Sequence, residues 1–358
     1  MKNLKSVKPK PHPKNNRKAD LLSVPVEHID IKSFDARPII KGMGKMSFTS
    51  RDLARAAEIF NTMLKDKNAT SVLTLSGSTS AGGCMDLYTE MVKSNMVDVI
   101  VSTGASIVDM DFFEALGFKH WQADGAVDDR DLRDLYIDRI YDTYIDEEDL
   151  QEVDGTIFKI AESLERRPYS SREFIWEMGK WLSKNSKKKN SLVQTAYEHG
   201  VPIFCPAFSD SSAGFGLVLH QKKSLEKGLK NYVSIDSVAD FRELTDIKIA
   251  AGTTGLLMIG GGVPKNFVQD TVVCAEILGH KNVEMHKYAI QVTVADVRDG
   301  ACSSSTLKEA CSWGKVDVAM EQMVYAEAGS VIPLLASDAY HRAHWKKRAR
   351  RNWAKLFK

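Results

Sequence analysis

The sequence predicts an α/β protein built on one open parallel sheet flanked by helices, and three observations carry that expectation. Five short apolar runs rich in β-branched residues (72–75, 97–101, 201–205, 256–259 and 289–294) are nearly continuous, as strands buried on both faces read. The segments between them carry apolar residues at helical spacing. Most of the runs end in small residues: SGSTSAGG after the first, STGAS after the second, PAFSDSSAG after the third and GGG after the fourth. In an open parallel sheet the carboxyl ends of the strands line the ligand crevice, and small residues there let a dinucleotide approach the backbone.

Along the chain, residues 1–20 hold seven Lys/Arg against one acid, with few large apolar side chains, and read as a basic, flexible arm. Residues 21–340 read as one large domain: 43% of the 358 residues are hydrophobic, enough for a sizeable core, and neither a repeat nor a long linker divides them. Residues 124–154 hold thirteen Asp/Glu against three Arg and read as a solvated helical face with Arg/Asp pairs. Ser170-Ser171-Arg172-Glu173 is a capping-box pattern opening a helix with Phe174, Ile175, Met178, Trp181 and Leu182 on its apolar face, which makes its Trp residues core. Pro264 reads as a first-turn proline leading into a further helix. Residues 341–358, with eight bases and no acid, read as a solubilising, partly disordered tail. Without the two ends the body holds 34 bases against 46 acids, a sign that attracts cationic ligands.

Several function classes find no support. Neither GxGxxG nor GxxxxGK[ST] occurs, and GGGVPKN at 260–266 lacks the spacing and hydroxyl of a phosphate loop. No HExxH occurs and the nine histidines are dispersed, so no metal is expected. Five scattered cysteines without a CxxC pair argue against a disulfide framework and for a reducing cytoplasm. No run of about 18 apolar residues would span a bilayer, and nucleic acid is not indicated.

What remains is Lys315 in CSWGKVDV (311–318). A lysine beside Trp313 and before the alternating Val316 and Val318 is expected to be partly desolvated, which disfavours the ammonium. A neutral amine is a nucleophile toward imines and carbonyls, and the carboxylates of Asp299 and Glu309 could hold a cationic substrate beside it. The bland alternative is a solvated lysine at a helix end.

The block CSWGK (311–315), with NMVDVIVSTGA (95–105), IFCPAFSDSSAG (203–214) and TTGLLMIGGGVPK (253–265) in the same order, resembles the deoxyhypusine synthase family, in its bacterial type, from about residue 30 to about residue 340. That resemblance implies a Rossmann-like NAD-binding domain and a homotetramer with active sites between subunits. It implies that a carbon beside the secondary amine of spermidine is oxidised by NAD and that the aminobutyl imine passes to the lysine. An acceptor amine then takes it. Carried over residue by residue, Lys315 is the nucleophile, shielded by Trp313. Gly77, Ser78, Thr79, Ser80, Ala81, Thr103, Gly104, Ala105, Asp210, Gly261, Glu327 and Ala328 fall on NAD-contacting positions, with Glu327 in place of an aspartate. Asp109, Asp299 and Glu309 fall on substrate-facing carboxylates, while Val108 replaces a glutamate.

The departures gather where substrate would sit. Phe215 stands at an aspartate that anchors the polyamine, Asn266 at a histidine near the reacting amine, and Cys302 at another aspartate. Each lost charge-assisted contact is worth roughly 1.5–3 kcal/mol to a polycation. The expected activity is therefore aminobutyl transfer from a polyamine to a small amine, such as putrescine or agmatine. Deoxyhypusine synthesis on the hypusine-carrying translation factor and a non-catalytic NAD- and polyamine-binding role are the alternatives.

Overall fold

A computed structural model describes residues 16–123 and 125–357. Six parallel strands form the central sheet: β1 (Thr70–Leu75), β2 (Val99–Ser102), β3 (Ile203–Phe204), β4 (Thr254–Ile259), β5 (Tyr288–Thr293) and β6 (Glu321–Tyr325). Their order is β6-β5-β4-β1-β2-β3. The sheet grows outward from β1 in one direction, then returns to the other side of β1 at β4, so the strand order reverses between β1 and β4. This is the doubly wound arrangement, and the reversal opens a crevice at the carboxyl ends.

The apolar runs are continuous because each strand has helices on both sides. Leu73, Leu75, Leu257, Ile259, Ile290 and Val292 face one core, with the helices Phe48–Lys65, Met85–Lys93 and Ala328–Arg342. Val72, Val99, Val101, Leu256, Met258 and Ala289 face the other, with the helices Ser237–Ala251, Gly262–Gln269 and Leu307–Ser312. The partition follows the two-residue period of the pleat. All five expected strands are present, and β6 is an addition. Its residues EQMVY are mostly half-exposed at the sheet edge, so no apolar run marked it.

The capping box at Ser170 and Glu173 forms as read and opens the helix Ser171–Asn185. Trp181 packs half-buried on the core, and Trp176 meets Tyr197 edge-on with ring centroids 4.7 Å apart. The acidic stretch is only partly helical. Between the helices Asp129–Asp134 and Glu147–Ser163 it contributes Ile137–Ile140 and Thr143–Asp146 to a three-stranded antiparallel sheet completed by Trp121–Gln122. Its acids do find basic partners, among them Arg139 on Asp129 at 2.7 Å.

The chain ends also differ from the expectation of disordered basic segments. Residues 1–15 of the basic arm lie outside the described residues, but residues 16–20 belong to the helix Asn16–Leu21, where Lys18 pairs with Asp146 (2.8 Å) and Glu148 (2.9 Å). At the other end, residues 343–357 cross the amino ends of the strands. Arg348, almost wholly buried, pairs with the fully buried Asp98 at 2.6 Å and donates to the carbonyls of Asn95 (2.5 Å) and Ala69 (3.2 Å). Asp98 also accepts from the Ser71 amide at 2.8 Å, so one carboxylate ties the tail to the start of β1. The basic composition masked this role, because these arginines are spent on carbonyls and a carboxylate rather than on solvent.

Removing one member of a buried pair leaves the other uncompensated. Arg348→Met should therefore lower the free energy of unfolding by about 3–5 kcal/mol, read from urea denaturation, whereas the same change at the exposed Arg298 should shift it by less than about 0.5 kcal/mol.

Candidate active site

The small-residue loops meet over the strand-order reversal. The Ser76 amide donates to Ile259 O at 3.0 Å and its hydroxyl to Gly261 O at 2.5 Å, joining the exits of β1 and β4. A Cβ on Gly261 would lie 2.5 Å from the Ser303 Cα, so only glycine lets the loop after β5 close over this point. At the exit of β2, the Thr103 amide donates to Leu75 O (3.1 Å), and the Ser106 hydroxyl reaches Gly77 O (3.1 Å). A Cβ on Gly104 would lie 2.6 Å from Ser211, which brings the loop holding Asp210 alongside. The chain leaving β2 opens with a π-helical segment, Ala105–Phe112, a geometry frequent at functional sites, whereas the turn Ser80–Cys84 after β1 is kinked at Gly83, whose φ is +95°.

These residues fit a dinucleotide. Gly77 has φ +82° with open space where a side chain would be, and the buried Ser80 hydroxyl lacks a protein partner. Thr79 is engaged with the Tyr88 hydroxyl at 2.7 Å, while Ser78 and Ala81 complete the turn. Glu327 caps the helix Ala328–Arg342 through the amides of Gly329 (2.6 Å) and Ser330 (2.8 Å). Burial raises its carboxyl, but the bonds from Ser330 and Gly329 outweigh that and leave it below its ordinary range.

Lys315 follows the short helix Leu307–Ser312. Its main chain is fixed from both sides: its amide donates to Ala310 O (3.0 Å), and its carbonyl accepts from the His286 amide (2.9 Å). The buried His286 ring in turn bonds Thr254 Oγ1 (2.7 Å) and Val268 O (3.0 Å). Burial and the neighbouring Lys248 push this imidazole down to about 3, so it stays neutral, donating through Nε2 and accepting through Nδ1. The Lys315 side chain is 12% exposed. Its Nζ is 2.6 Å from Asp270 Oδ1, 3.4 Å from Asn266 Oδ1 and 5.2 Å from the centroid of the Trp313 ring.

A second lysine, Lys265, is fully buried beside it. Its Nζ donates to the carbonyls of Cys302 (3.1 Å) and Ser305 and to the Ser305 hydroxyl (2.8 Å), which pins the loop carrying Cys302. Burial pushes its amine down to about 8.

Lys315, Asn266 and Trp313 thus gather in one place, near Glu309 and Cys302. Trp313 is 70% exposed, so it covers one side of the amine without closing the pocket, contrary to the shielding expected of it. Glu309 is the acidic half of a capping box with Thr306. Asp299 lies exposed in a turn after Asp296.

Asp109 and Phe215 fall elsewhere, at the β2/β3 end. The Asp109 Oδ1 accepts from the Ser212 amide (2.8 Å), and burial pushes its carboxyl up to about 6, as it does the neighbouring Asp154. Phe215 is 64% exposed on the helix Ser212–Glu226, next to the exposed Val218 and Leu219. Four strand steps separate β3 from β5, about 19 Å at ~4.8 Å each. A surface depression of about 1240 Å³ lies away from all of these, between the helices Arg37–Met43 and Phe48–Lys65. Among the described residues, no cluster of His, Cys, Asp and Glu could hold a metal, and no helix is long and apolar enough to cross a membrane.

The family model for deoxyhypusine synthase matches residues 38–339. The chain belongs to the deoxyhypusine synthase family. Proteins called deoxyhypusine synthase-like in Coxiella burnetii (strain RSA 493 / Nine Mile phase I) and Caulobacter vibrioides are 73% and 70% identical, covering 95% and 96% of this chain and 96% and 93% of theirs. A crystal structure from Entamoeba histolytica that carries the deoxyhypusine synthase name covers 91% of this chain and 99% of its own, with a TM-score of 0.58 at 18% identity, a likeness of fold. Family membership makes the chain a member of a transferase family.

Sequence reasoning missed Asp270 and the anchoring roles of Lys265 and His286. Asp270 could have been found from its place one helical turn after Asn266, whose amide donates to its Oδ2 at 2.8 Å.

The raised carboxyl of Asp109 has a consequence for stability. Between about pH 4 and pH 6 the folded protein retains a proton that the unfolded chain has released, so this group's contribution is full below that window and is lost as pH rises through it. Asp109→Asn should remove up to about 3 kcal/mol of that decline, seen as a flatter dependence of melting temperature on pH between 4 and 6.

Proposed function

We propose that this protein is an NAD-dependent aminobutyl transferase that moves the aminobutyl group of a polyamine, through an imine on Lys315, to a small amine. The observation that carries this reading is the partly buried Lys315, fixed by backbone bonds on both sides and set against Asn266 on the helix that starts at Gly262, in the glycine loop of the crevice. Hydride transfer alone does not require a covalent lysine. Bound NAD would supply the acceptor, and later the donor, of a hydride at the carbon beside the reacting nitrogen. Gly77–Ala81, Thr103–Ala105, Asp210 and Gly261 would hold it, with Glu327 and Ala328 behind the turn at Ser80.

The chain's own part begins when the Lys315 Nζ lone pair adds to the oxidised carbon. The bond from that carbon to the departing amine breaks, the amine leaves with a proton, and the aminobutyl group stays on Lys315 as an imine. A second amine repeats the exchange in the opposite sense and frees the lysine. Trp313 keeps water from one side of Nζ and tolerates a cation against its face. Asp299 and Glu309 add negative charge at the entrance. Phe215, Asn266 and Cys302 leave fewer charged groups to hold a long polycation, which favours a short amine in this pocket.

A site divided across about 19 Å of sheet is complete if two copies face each other, with Asp109 and Phe215 of one opposite Lys315 of the other. The exposed Phe215, Val218, Leu219 and Trp313 support such an interface, in a homotetramer.

Incubation with NAD and spermidine, putrescine or agmatine, followed by chromatography of the amines, should show a diamine released and a new secondary amine formed. Lys315→Ala should bind NAD as before yet lose this product by at least about 10³-fold. Unchanged transfer by that variant would rule the mechanism out. In light scattering, Leu219→Arg should dissociate the assembly and abolish transfer together; a fully active monomer would refute the divided site.

A further inference from the structure

Asp270 stands at the junction of the helices Gly262–Gln269 and Thr271–Ile277. Its two oxygens are used by two different partners: Oδ1 by the Lys315 ammonium at 2.6 Å, Oδ2 by the Asn266 amide at 2.8 Å. Asn266 closes the triangle, since its own carbonyl oxygen accepts from Lys315 at 3.4 Å. A neutral amide can donate to the carboxylate and accept from the lysine at once, whereas a protonated imidazole there would only donate and would compete as a cation. The triangle is not sealed. The Asp270 side chain is 30% exposed, against 12% for Lys315, so an incoming cation can reach the carboxylate.

We propose that Asp270 is the specificity-determining carboxylate of the amine pocket: it holds Lys315 at rest and exchanges it for the ammonium of an alkyl diamine, which releases the lysine as a nucleophile. The proposal rests on the transfer reading above. An ammonium held against a carboxylate has no lone pair to give, so a nucleophilic Lys315 must first leave Asp270. When a substrate ammonium takes its place, Lys315 passes one proton to water. The pocket then keeps one cation against one anion, and no second charge is buried without a partner. An amine that carries no further ammonium cannot both pair with Asp270 and present a reacting nitrogen. The site therefore selects diamines and polyamines over monoamines. Lys265, three carbonyl or hydroxyl bonds deep in the adjacent loop, already has its acceptors and does not compete for Asp270.

The test compares the full-length protein with Asp270→Asn and Asp270→Glu, each first checked for an unchanged melting curve. Trace acylation of Lys315 by acetic anhydride at fixed pH, followed by peptide mass spectrometry, reports the free amine without requiring turnover. Asp270→Asn should be labelled several-fold faster than wild type, and Asp270→Glu should return toward the wild-type rate. In steady-state transfer, Asp270→Asn should raise KM for putrescine roughly tenfold or more. Equal labelling of wild type and Asp270→Asn, or an unchanged KM, would overturn the proposal. If wild type makes no product from any polyamine, the transfer reading fails, and the labelling comparison still decides whether Asp270 holds Lys315.

Discussion

The reversal of strand order between β1 and β4 is the constraint on which the rest of the molecule depends. Strands on either side of it lead their connections to opposite faces of the sheet, so the connections diverge at their carboxyl ends. The residues at those ends must then do two things: leave the gap open, and hold the loops close enough to define it. Gly104 and Gly261 permit approaches that any side chain would block, and Ser76 joins the two central strands through hydrogen bonds to Ile259 and Gly261. At the opposite end of the sheet the buried Asp98–Arg348 pair ties the tail to the start of β1.

Lys315 takes its position from this framework. The helix Gly262–Gln269 starts from the β4 exit and carries Lys265 and Asn266 on its way to Asp270. The neutral His286 ring ties the carbonyl of Val268 to β4 through Thr254, and the His286 amide holds the carbonyl of Lys315. One buried ring thus sets the distance between the candidate nucleophile and the helix whose residues face it. The fully buried Lys265 does the corresponding task for the loop of Cys302, ending its charge on three oxygens.

Much of this was legible in the sequence, for identifiable reasons. Strands covered on both faces leave continuous apolar runs, and the glycine and serine loops that follow them mark the crevice side. The edge strand β6 leaves no such run because its residues are half-solvated. Composition misjudged residues 343–357, since arginines that bond buried carbonyls look the same in a sequence as arginines in water. Pairing across the fold is equally silent: nothing in the spacing of Asp270 and Lys315 announces a contact of 2.6 Å across 45 residues. The exposure of Trp313 was hidden for the opposite reason, because an indole beside a lysine reads as a buried pair until the neighbouring helix is placed.

Membership in the deoxyhypusine synthase family, the open crevice and the anchored lysine together give the account its central claim, that a polyamine fragment becomes covalently attached to Lys315. The most direct measurement is to quench the protein with borohydride during incubation with NAD and spermidine and to map the reduced adduct by peptide mass spectrometry. The account predicts an aminobutyl group on Lys315, dependent on both NAD and the polyamine. An adduct confined to another lysine, or product formation with Lys315 unmodified throughout, would contradict it.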